Sequence, residues 1–157
     1  MKKIMILGGG SNQLGLIRAS KESNYKIILC DRNSACVGRT EVDMFYEVDI
    51  IDTEEVYKVA KAEKIDGIVS NSEVVMGVVA EVATRLQLVG NSRECIEVFE
   101  SKYAFREFQK KIAVFSPKHI LLDENSNVEK ILIYYSKKFI ISDCYKTGSV
   151  FWNKGDD

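Results

Sequence analysis

The chain has 157 residues, which is the length of one domain or of one domain and a fraction. Its 22 basic and 23 acidic residues are interleaved and give a formal net charge of −1, so the sequence offers no electrostatic surface for nucleic acid or for an anionic membrane. No apolar run is long enough to span a bilayer, and the N-terminus leads into glycines rather than into a signal-peptide cleavage site, so we expect a cytoplasmic protein.

Residues 1–90 alternate short apolar runs with segments of helical periodicity. Ser11 or Asn12 is placed to cap the first helix, Asn24 is placed for the left-handed residue at its end, and residues 52–55 form a capping box for the second helix. The predicted strands are 3–7, 26–30, 45–48, 65–70 and the short 88–89. The predicted helices end near residues 23, 63 and 86, and the third begins at residue 73.

Single helices between successive strands indicate β-α-β units, a parallel sheet and helices on both of its faces. Right-handed crossovers favour the strand order 3-2-1-4, in which the direction of travel reverses between the first and fourth strands. Ligands of open α/β sheets bind beyond the carboxyl ends of the strands at that reversal. The sequence therefore predicts an α/β, Rossmann-like domain over residues 1–90, with loops 8–13 and 70–73 facing one crevice.

The pattern changes after Gly90. We expect one or two helices over 92–111, an extended segment around Pro117, a helix near 128–137, a strand over 138–145 and a glycine turn at 146–149. Residues 91–119 are interpreted as a linker, and residues 120–157 as the truncated first part of an α+β domain. Because such a hairpin leaves apolar side chains uncovered, we expect the tail to be poorly ordered, or held by a second copy or by a missing C-terminal half.

Three interpretations of the glycine loop "GGGSNQLG", residues 8–15, stay open. Gly8 and Gly10 fit a dinucleotide fingerprint and Asp31 stands where a ribose-binding acid is expected, but Gln13 occupies the position of the third glycine. The glycines could instead only permit a tight turn from strand to helix. In the third interpretation, backbone N–H groups at the start of the helix bind a small anionic substrate.

The sequence offers no recognisable metal site or catalytic dyad. The four cysteines include no C-x-x-C pair, and the single histidine, His119, has no evident partner. We interpret the cysteines as reduced, partly buried thiols and His119 as a surface or packing residue.

Five segments together, by their order and spacing, resemble the ATP-grasp ligases, most of all carbamoyl-phosphate-synthase-like, biotin-carboxylase-like and purine-biosynthetic members. The first three resemble the strands and loops of the N-terminal domain of that family, and the last two resemble its linker and the first hairpin of the ATP-grasp fold. In chain order they are "IMILGGGSNQLGLIRASKE", "ILCDRNSACVGRTEVDMFYEVDIID", "KIDGIVSNSE", "SKYAFREFQKKIAVFSPKH" and "KKFIISDCYKTGSVF".

The resemblance implies ATP-dependent carbon–nitrogen ligation with Mg, in which a carboxylate is activated as an acyl phosphate and then attacked by an amine. It also implies that the glycine loop belongs to the substrate site. Glu73 matches an acid that binds substrate in some members, and Gly10, Asn12 and Gln13 are the substrate-binding candidates of the glycine loop, because they lie at the sheet reversal and open a helix whose N–H groups favour an anion. The residues that match ATP-binding positions are Lys102, Gly148 and Ser149, and Lys146 is a fourth candidate as a substitute for a family lysine.

The sequence departs from the family pattern in two ways. Ser142 and Asp143 stand where members usually carry a lysine followed by a proline, and Lys146 is the candidate replacement. The family's metal-binding acids match positions beyond Asp157, so the resemblance assigns no residue to Mg and implies an inactive isolated chain. A non-catalytic small-molecule-binding or regulatory module is the alternative, and an NAD(P)-dependent oxidoreductase is the third possibility.

Overall fold

Four parallel strands form the sheet of the N-terminal half: β1 (Lys3–Leu7), β2 (Lys26–Asp31), β3 (Met44–Glu47) and β4 (Gly67–Val69). The computed structural model describes residues 1–117, 119–121, 139–144 and 147–152. The strand order is β3-β2-β1-β4, and every pairing is parallel. The predicted order 3-2-1-4 is therefore confirmed, and the reversal lies between β1 and β4.

Helices cover both faces of this sheet, as predicted. They are α1 (Leu14–Glu22), α2 (Thr53–Glu63) and α3 (Met76–Arg85). Successive residues of β1 point to opposite faces: Met5 and Leu7 pack with α2 and α3, whereas Ile6 packs with Ile17 of α1. All four side chains are fully buried, which contributes about 1.5–3 kcal/mol each to the burial term of folding.

The helix ends follow the predicted chemistry at two of three positions. The side chain of Asp52 accepts from the N–H groups of Glu54 and Glu55 at 2.9 and 3.0 Å and so caps α2. Asn24 has the predicted left-handed conformation, with φ of 58°. The cap predicted at Ser11 or Asn12 is wrong, because neither side chain caps a backbone N–H and the first turn, Ser11–Gln13, is a 3-10 helix that precedes α1.

Two further predictions for this half need correction. Residues 88–89 form no strand: the N–H of Leu88 instead donates to the carbonyl of Ala83, which closes the end of α3. The helix predicted from residue 73 begins as the separate 3-10 turn Glu73–Val75, and α3 starts at Met76. Short 3-10 turns at helix starts are common and carry no distinct sequence pattern.

The chain divides into two units, Met1–Ile96 and Glu97–Asp157. The segment predicted as one or two helices is two, α4 (Arg93–Glu100) and α5 (Lys102–Lys111). The boundary predicted at residue 90 stays a prediction. No helix among the described residues is long and apolar enough to cross a membrane.

The second unit contains an antiparallel sheet of β5 (His119–Leu121), β6 (Phe139–Cys144) and β7 (Thr147–Trp152), in the order β5-β7-β6. Within this unit His119 Nε2 lies 2.9 Å from a carboxylate oxygen of Glu107 on α5, and the imidazole is 2% exposed. His119 is thus a packing residue. The helix predicted near 128–137 lies outside the described residues, as do most of those on which the expectation of a poorly ordered or partner-held tail rests.

The cap of α2 generates a stability prediction. Replacing Asp52 by alanine removes the acceptor for two first-turn N–H groups, so we expect the free energy of unfolding to fall by about 1 kcal/mol. Urea unfolding followed by circular dichroism measures the loss. Lys58→Ala, on the exposed side of the same helix, is the control and should change stability by less than about 0.5 kcal/mol. An equal effect of both substitutions would contradict the role of the cap.

Candidate functional site

The loop between β1 and α1 turns sharply at its first glycine. Gly8 has a φ of 93°, a conformation that side-chain-bearing residues rarely adopt. Its N–H donates to the carbonyl of Cys30 at the end of β2, at 2.9 Å. The turn therefore needs a glycine at position 8 for its backbone conformation, whatever the loop binds.

Gly9 is required for a different reason, which is space. A Cβ at this position would lie 2.4 Å from Sγ of Cys36 and 3.0 Å from a methyl carbon of Leu29, and both side chains are buried. Gly38 approaches the loop equally closely: its N–H donates to the carbonyl of Gly9 at 2.9 Å. A Cβ on Gly38 would lie 2.7 Å from Cδ1 of Ile17. Two glycines thus allow the loop to pack against the segment after β2.

The carboxylate of Asp31 holds this loop from the end of β2. One oxygen accepts from the N–H of Gly9 at 2.6 Å, and the other accepts from the N–H of Asn33 at 2.8 Å. Asp31 therefore connects the glycine loop with the start of the segment after β2. Sequence reasoning placed Asp31 correctly at the strand end but missed this contact, which joins residues 22 positions apart.

Gln13 folds back over the loop that it follows. Its side-chain amide lies 3.2 Å from the positions that a Cβ on Gly8 or on Gly10 would take, and its N–H donates to the carbonyl of Gly10 at 3.0 Å. A dinucleotide fingerprint carries a glycine at this position for close packing of helix on sheet. The amide of Gln13 instead lies against the first and third glycines.

The loops that follow β1 and β4 meet, as the strand order predicts. The side-chain amide of Asn71 donates to the carbonyl of Asn12 at 2.8 Å. Beneath this contact, the buried hydroxyl of Ser70 donates to the carbonyl of Leu7 at 2.8 Å and accepts from the N–H of Ser72. The reversal of the sheet is therefore bridged by polar contacts between the two loops.

The predicted substrate residues are brought together only in part. Gly10 and Asn12 are exposed on the glycine loop, and Asn12 contacts the loop after β4 through Asn71. Glu73 is exposed at the start of its 3-10 turn, and among the described residues none is hydrogen-bonded to its side chain. A common pocket of Gly10, Asn12, Gln13 and Glu73 stays a prediction.

A small cavity lies at the same edge of the sheet, towards β3. Its volume is about 160 Å³. It is lined by the end of β2, by the segment after β3 and by the loop after β4: Asp31, Arg32, Asp49, Ile50, Ile51, Ser72, Val74 and Val75. None of the four predicted substrate residues lines it.

The predicted nucleotide residues lie in the second unit. Lys102 is exposed at the first position of α5, whose cap is the hydroxyl of Ser101. Gly148 and Ser149 lie inside β7, so the glycine turn predicted at 146–149 is wrong for these two residues. Ser149 pairs with Ser142 of β6 and with Leu121 of β5, because β7 is the central strand. Lys146 lies outside the described residues, and the four ATP-binding assignments stay predictions.

A divalent cation needs its own set of ligands, apart from the residues that bind a nucleotide. Over the described ranges, no group of three or more His, Cys, Asp or Glu side chains is arranged to hold a metal ion. The Mg that the resemblance implies therefore has no matching ligands among these residues.

The carboxylate of Glu107 bonds to Lys110 and His119, and these partners hold the pKa of Glu107 below its usual range.

Burial keeps the two thiols near the glycine loop in their neutral form. It raises the pKa of Cys30 to about 12. It also raises the pKa of Cys36, and the negative charge of Asp31 adds to that effect. Because the thiolate is the reactive species, neither residue is a suitable nucleophile.

Two glycine-to-alanine variants test how closely the protein packs around Gly9. Gly9→Ala places a methyl group against Cys36 and Leu29, so we expect a loss of about 1–3 kcal/mol in the free energy of unfolding. Gly15→Ala meets no atom within 4 Å and removes a glycine from α1, so it should stabilise by about 0.5–1 kcal/mol. Denaturant unfolding measures both. Partial rescue of Gly9→Ala by Cys36→Ala would identify the clash, and two stabilised single variants would refute it.

The thiols generate a second prediction. When the folded protein is alkylated with iodoacetamide at pH 8, we expect Cys95, which is partly exposed on α4, to react well before Cys30 and Cys36. Peptide mass spectrometry at several reaction times measures the three rates separately. In denaturant the rates should converge, and equal rates for Cys36 and Cys95 in the folded protein would show that the loop does not bury Cys36.

Comparison with known proteins adds sequence and structural relatives. No protein-family model matches the chain. It is 23% identical over 168 residues to the carbamoyl phosphate synthase large chain of Methanoregula boonei, a match that covers 94% of this chain and 16% of that protein. The chain thus spans about one sixth of the length of the curated relatives that it matches.

Solved structures match over nearly the whole chain. Phosphoribosylglycinamide synthetase from Anaerococcus prevotii has a TM-score of 0.70 at 24% identity and covers 93% of this chain and 38% of its own. N5-carboxyaminoimidazole synthetase from Staphylococcus aureus, complexed with ADP, has a TM-score of 0.77 at 15% identity. This match covers 98% of the present chain and 48% of the synthetase chain. The resemblance found in the motifs is therefore confirmed: this chain is similar in sequence and in fold to the N-terminal part of ATP-grasp ligases.

Proposed function

We propose that the chain forms the substrate-side part of an ATP-dependent carbon–nitrogen ligase. In this reaction a carboxylate oxygen attacks the γ-phosphorus of ATP and ADP leaves. An amine then attacks the carbonyl carbon of the acyl phosphate and displaces inorganic phosphate. The names of the relatives, a carbamoyl phosphate synthase and two synthetases, support this reaction class.

The observation that carries the proposal is a set of backbone N–H groups at the reversal of the sheet. The N–H groups of Gly10, Ser11 and Asn12 have no acceptor among the residues that the structure describes, and all three residues are exposed. They precede α1 through a 3-10 turn, so the positive end of the helix dipole adds to their field. This arrangement suits the negative charge of a carboxylate or of an acyl phosphate.

The role of each substrate residue follows from its position. The absence of a side chain on Gly10 lets a ligand approach the backbone closely. The contact of Asn71 with Asn12 fixes the loop, so the N–H groups are oriented before the ligand binds. Glu73, on the opposite loop, supplies a carboxylate acceptor for polar hydrogens of the substrate, such as those of an amine.

Lys102, Lys146, Gly148 and Ser149 are the residues that we propose for ATP. The ammonium of Lys102, at the first turn of α5, suits a phosphate oxygen because a lysine is a mobile point charge. When bound, ATP supplies the phosphoryl group that activates the carboxylate. The described residues include no group of three or more side chains that could hold Mg.

Two contacts argue against an oxidoreductase. The carboxylate of Asp31, the acid that would bind a ribose, instead accepts the N–H groups of Gly9 and Asn33. The side chain of Gln13 lies against the glycines that a pyrophosphate would approach. A small anion bound to the N–H groups of the loop needs neither the carboxylate of Asp31 nor the space that Gln13 occupies.

The anion site can be tested by amide chemical-shift titration with acetate and with inorganic phosphate. We expect shifts at Gly10, Ser11 and Asn12, and an affinity about tenfold lower in Gly10→Val, whose methyl groups cover the N–H groups. Position 10 has an extended backbone, with φ of −70° and ψ of 176°, which valine can adopt, and the side-chain amide of Gln13, 3.2 Å from the new Cβ, has to shift by a few tenths of an ångström. Gly15→Val, on the exposed side of α1, is the control. Shifts caused by NADH but not by the anions would overturn the proposal.

The chemistry itself can be tested with a carboxylate substrate labelled with oxygen-18. If a carboxylate is activated as an acyl phosphate, one oxygen of an ¹⁸O-labelled carboxylate substrate must appear in the inorganic phosphate released. Mass spectrometry of that phosphate measures the transfer. Anion binding without any transfer, in the presence of ATP and amine, would instead support a regulatory module.

A further inference from the structure

The small cavity lined by Asp31, Ile51 and Val74 has an apolar wall that solvent reaches. Ile50 and Val75 belong to the core cluster between the sheet and α2 and α3, and Val75 is 1% exposed. Ile51 and Val74 are 57% and 66% exposed, although both are branched aliphatic residues. Four such side chains from two loops therefore form one surface at the carboxyl edge of the sheet, where open α/β folds bind ligands.

Three charged side chains line the same cavity, and two of opposite charge, Arg32 and Asp49, do not pair with each other. Over the described residues, the guanidinium of Arg32 has neither a hydrogen bond nor an ion pair. The carboxylate of Asp49 accepts only the N–H of Ile51, through one oxygen at 3.1 Å. Its second oxygen is available. Asp31 lines the cavity as well, but its two oxygens are bonded to Gly9 and Asn33.

From these features we infer that the cavity binds a small zwitterion with a branched apolar side chain, the chemistry of an apolar α-amino acid. The ligand carboxylate bonds to Arg32, its ammonium bonds to Asp49, and its side chain packs on the isoleucines and valines. A ligand with one charge leaves the other cavity charge unmatched. The hydroxyl of Ser72 provides one further polar contact.

The size of the cavity supports a single amino acid over a larger ligand. Pockets for drug-sized ligands begin at about 300 Å³. The cavity, at about 160 Å³, is roughly half that volume. It also excludes Gly10 and Asn12, so this site is separate from the proposed anion site and does not depend on the ligase proposal.

The probe is L-leucine, compared with two analogues that each lack one charge, 4-methylpentanoate and 3-methylbutylamine. Amide chemical-shift titration of the full chain follows residues 31–32, 49–51 and 72–75. We expect L-leucine to bind about tenfold or more tightly than either analogue, because each analogue loses one charge-assisted contact. Glycine, which lacks the side chain, should also bind more weakly. Equal affinities, or shifts that miss these residues, would overturn the inference.

Two variants test which cavity residue binds the carboxylate of the ligand and which binds its ammonium. Arg32→Gln should weaken L-leucine to the affinity of 3-methylbutylamine and leave that amine unaffected. Asp49→Asn, which keeps an oxygen acceptor for the N–H of Ile51, should weaken L-leucine to the affinity of 4-methylpentanoate. Lys58→Gln removes one positive charge from an exposed position of α2 and is the control. Unchanged binding in Arg32→Gln, or the same loss in the control, would refute the assignment.

Discussion

The carboxylate of Asp31 is the contact on which the carboxyl edge of the sheet depends. It binds the N–H of Gly9 from one oxygen and that of Asn33 from the other, so it connects the loop after β1 with the loop after β2. A charged acceptor forms stronger hydrogen bonds than a neutral one, and the bond from Gly9 is also partly buried. Through this contact the glycine loop is held against Cys36 and Gly38.

The sheet was predictable because its signals are local and periodic. Apolar runs separated by single helices define β-α-β units, and the handedness of the crossovers then leaves the order β3-β2-β1-β4 as the favoured arrangement. The cap at Asp52 and the left-handed Asn24 were predictable because each depends on only a few neighbouring residues. The strand predicted at residues 88–89 was wrong, because two apolar residues before a glycine resemble a strand but here close the end of α3.

The candidate sites were only partly predictable, because their contacts join distant positions. Sequence patterns placed Gly10 and Asn12 at the sheet reversal, and the bond from Asn71 to Asn12 shows that the two loops do meet there. They did not indicate the cavity, whose lining comes from three separate segments and follows no motif. They also missed the pairing of His119 with Glu107, which lies 12 positions away on α5.

The glycine loop is held in place by its own contacts, so the ligand that it binds can change during evolution. Because Gly8, Gly9, Asp31 and Gln13 hold the backbone without any ligand, little chain entropy is lost on binding, and even a ligand with few contacts can be retained. The rigid part lies beneath the surface, whereas Gly10, Asn12 and Glu73 are exposed above it. Under the proposed function, substrate preference can therefore change through the exposed residues while the supporting backbone stays the same.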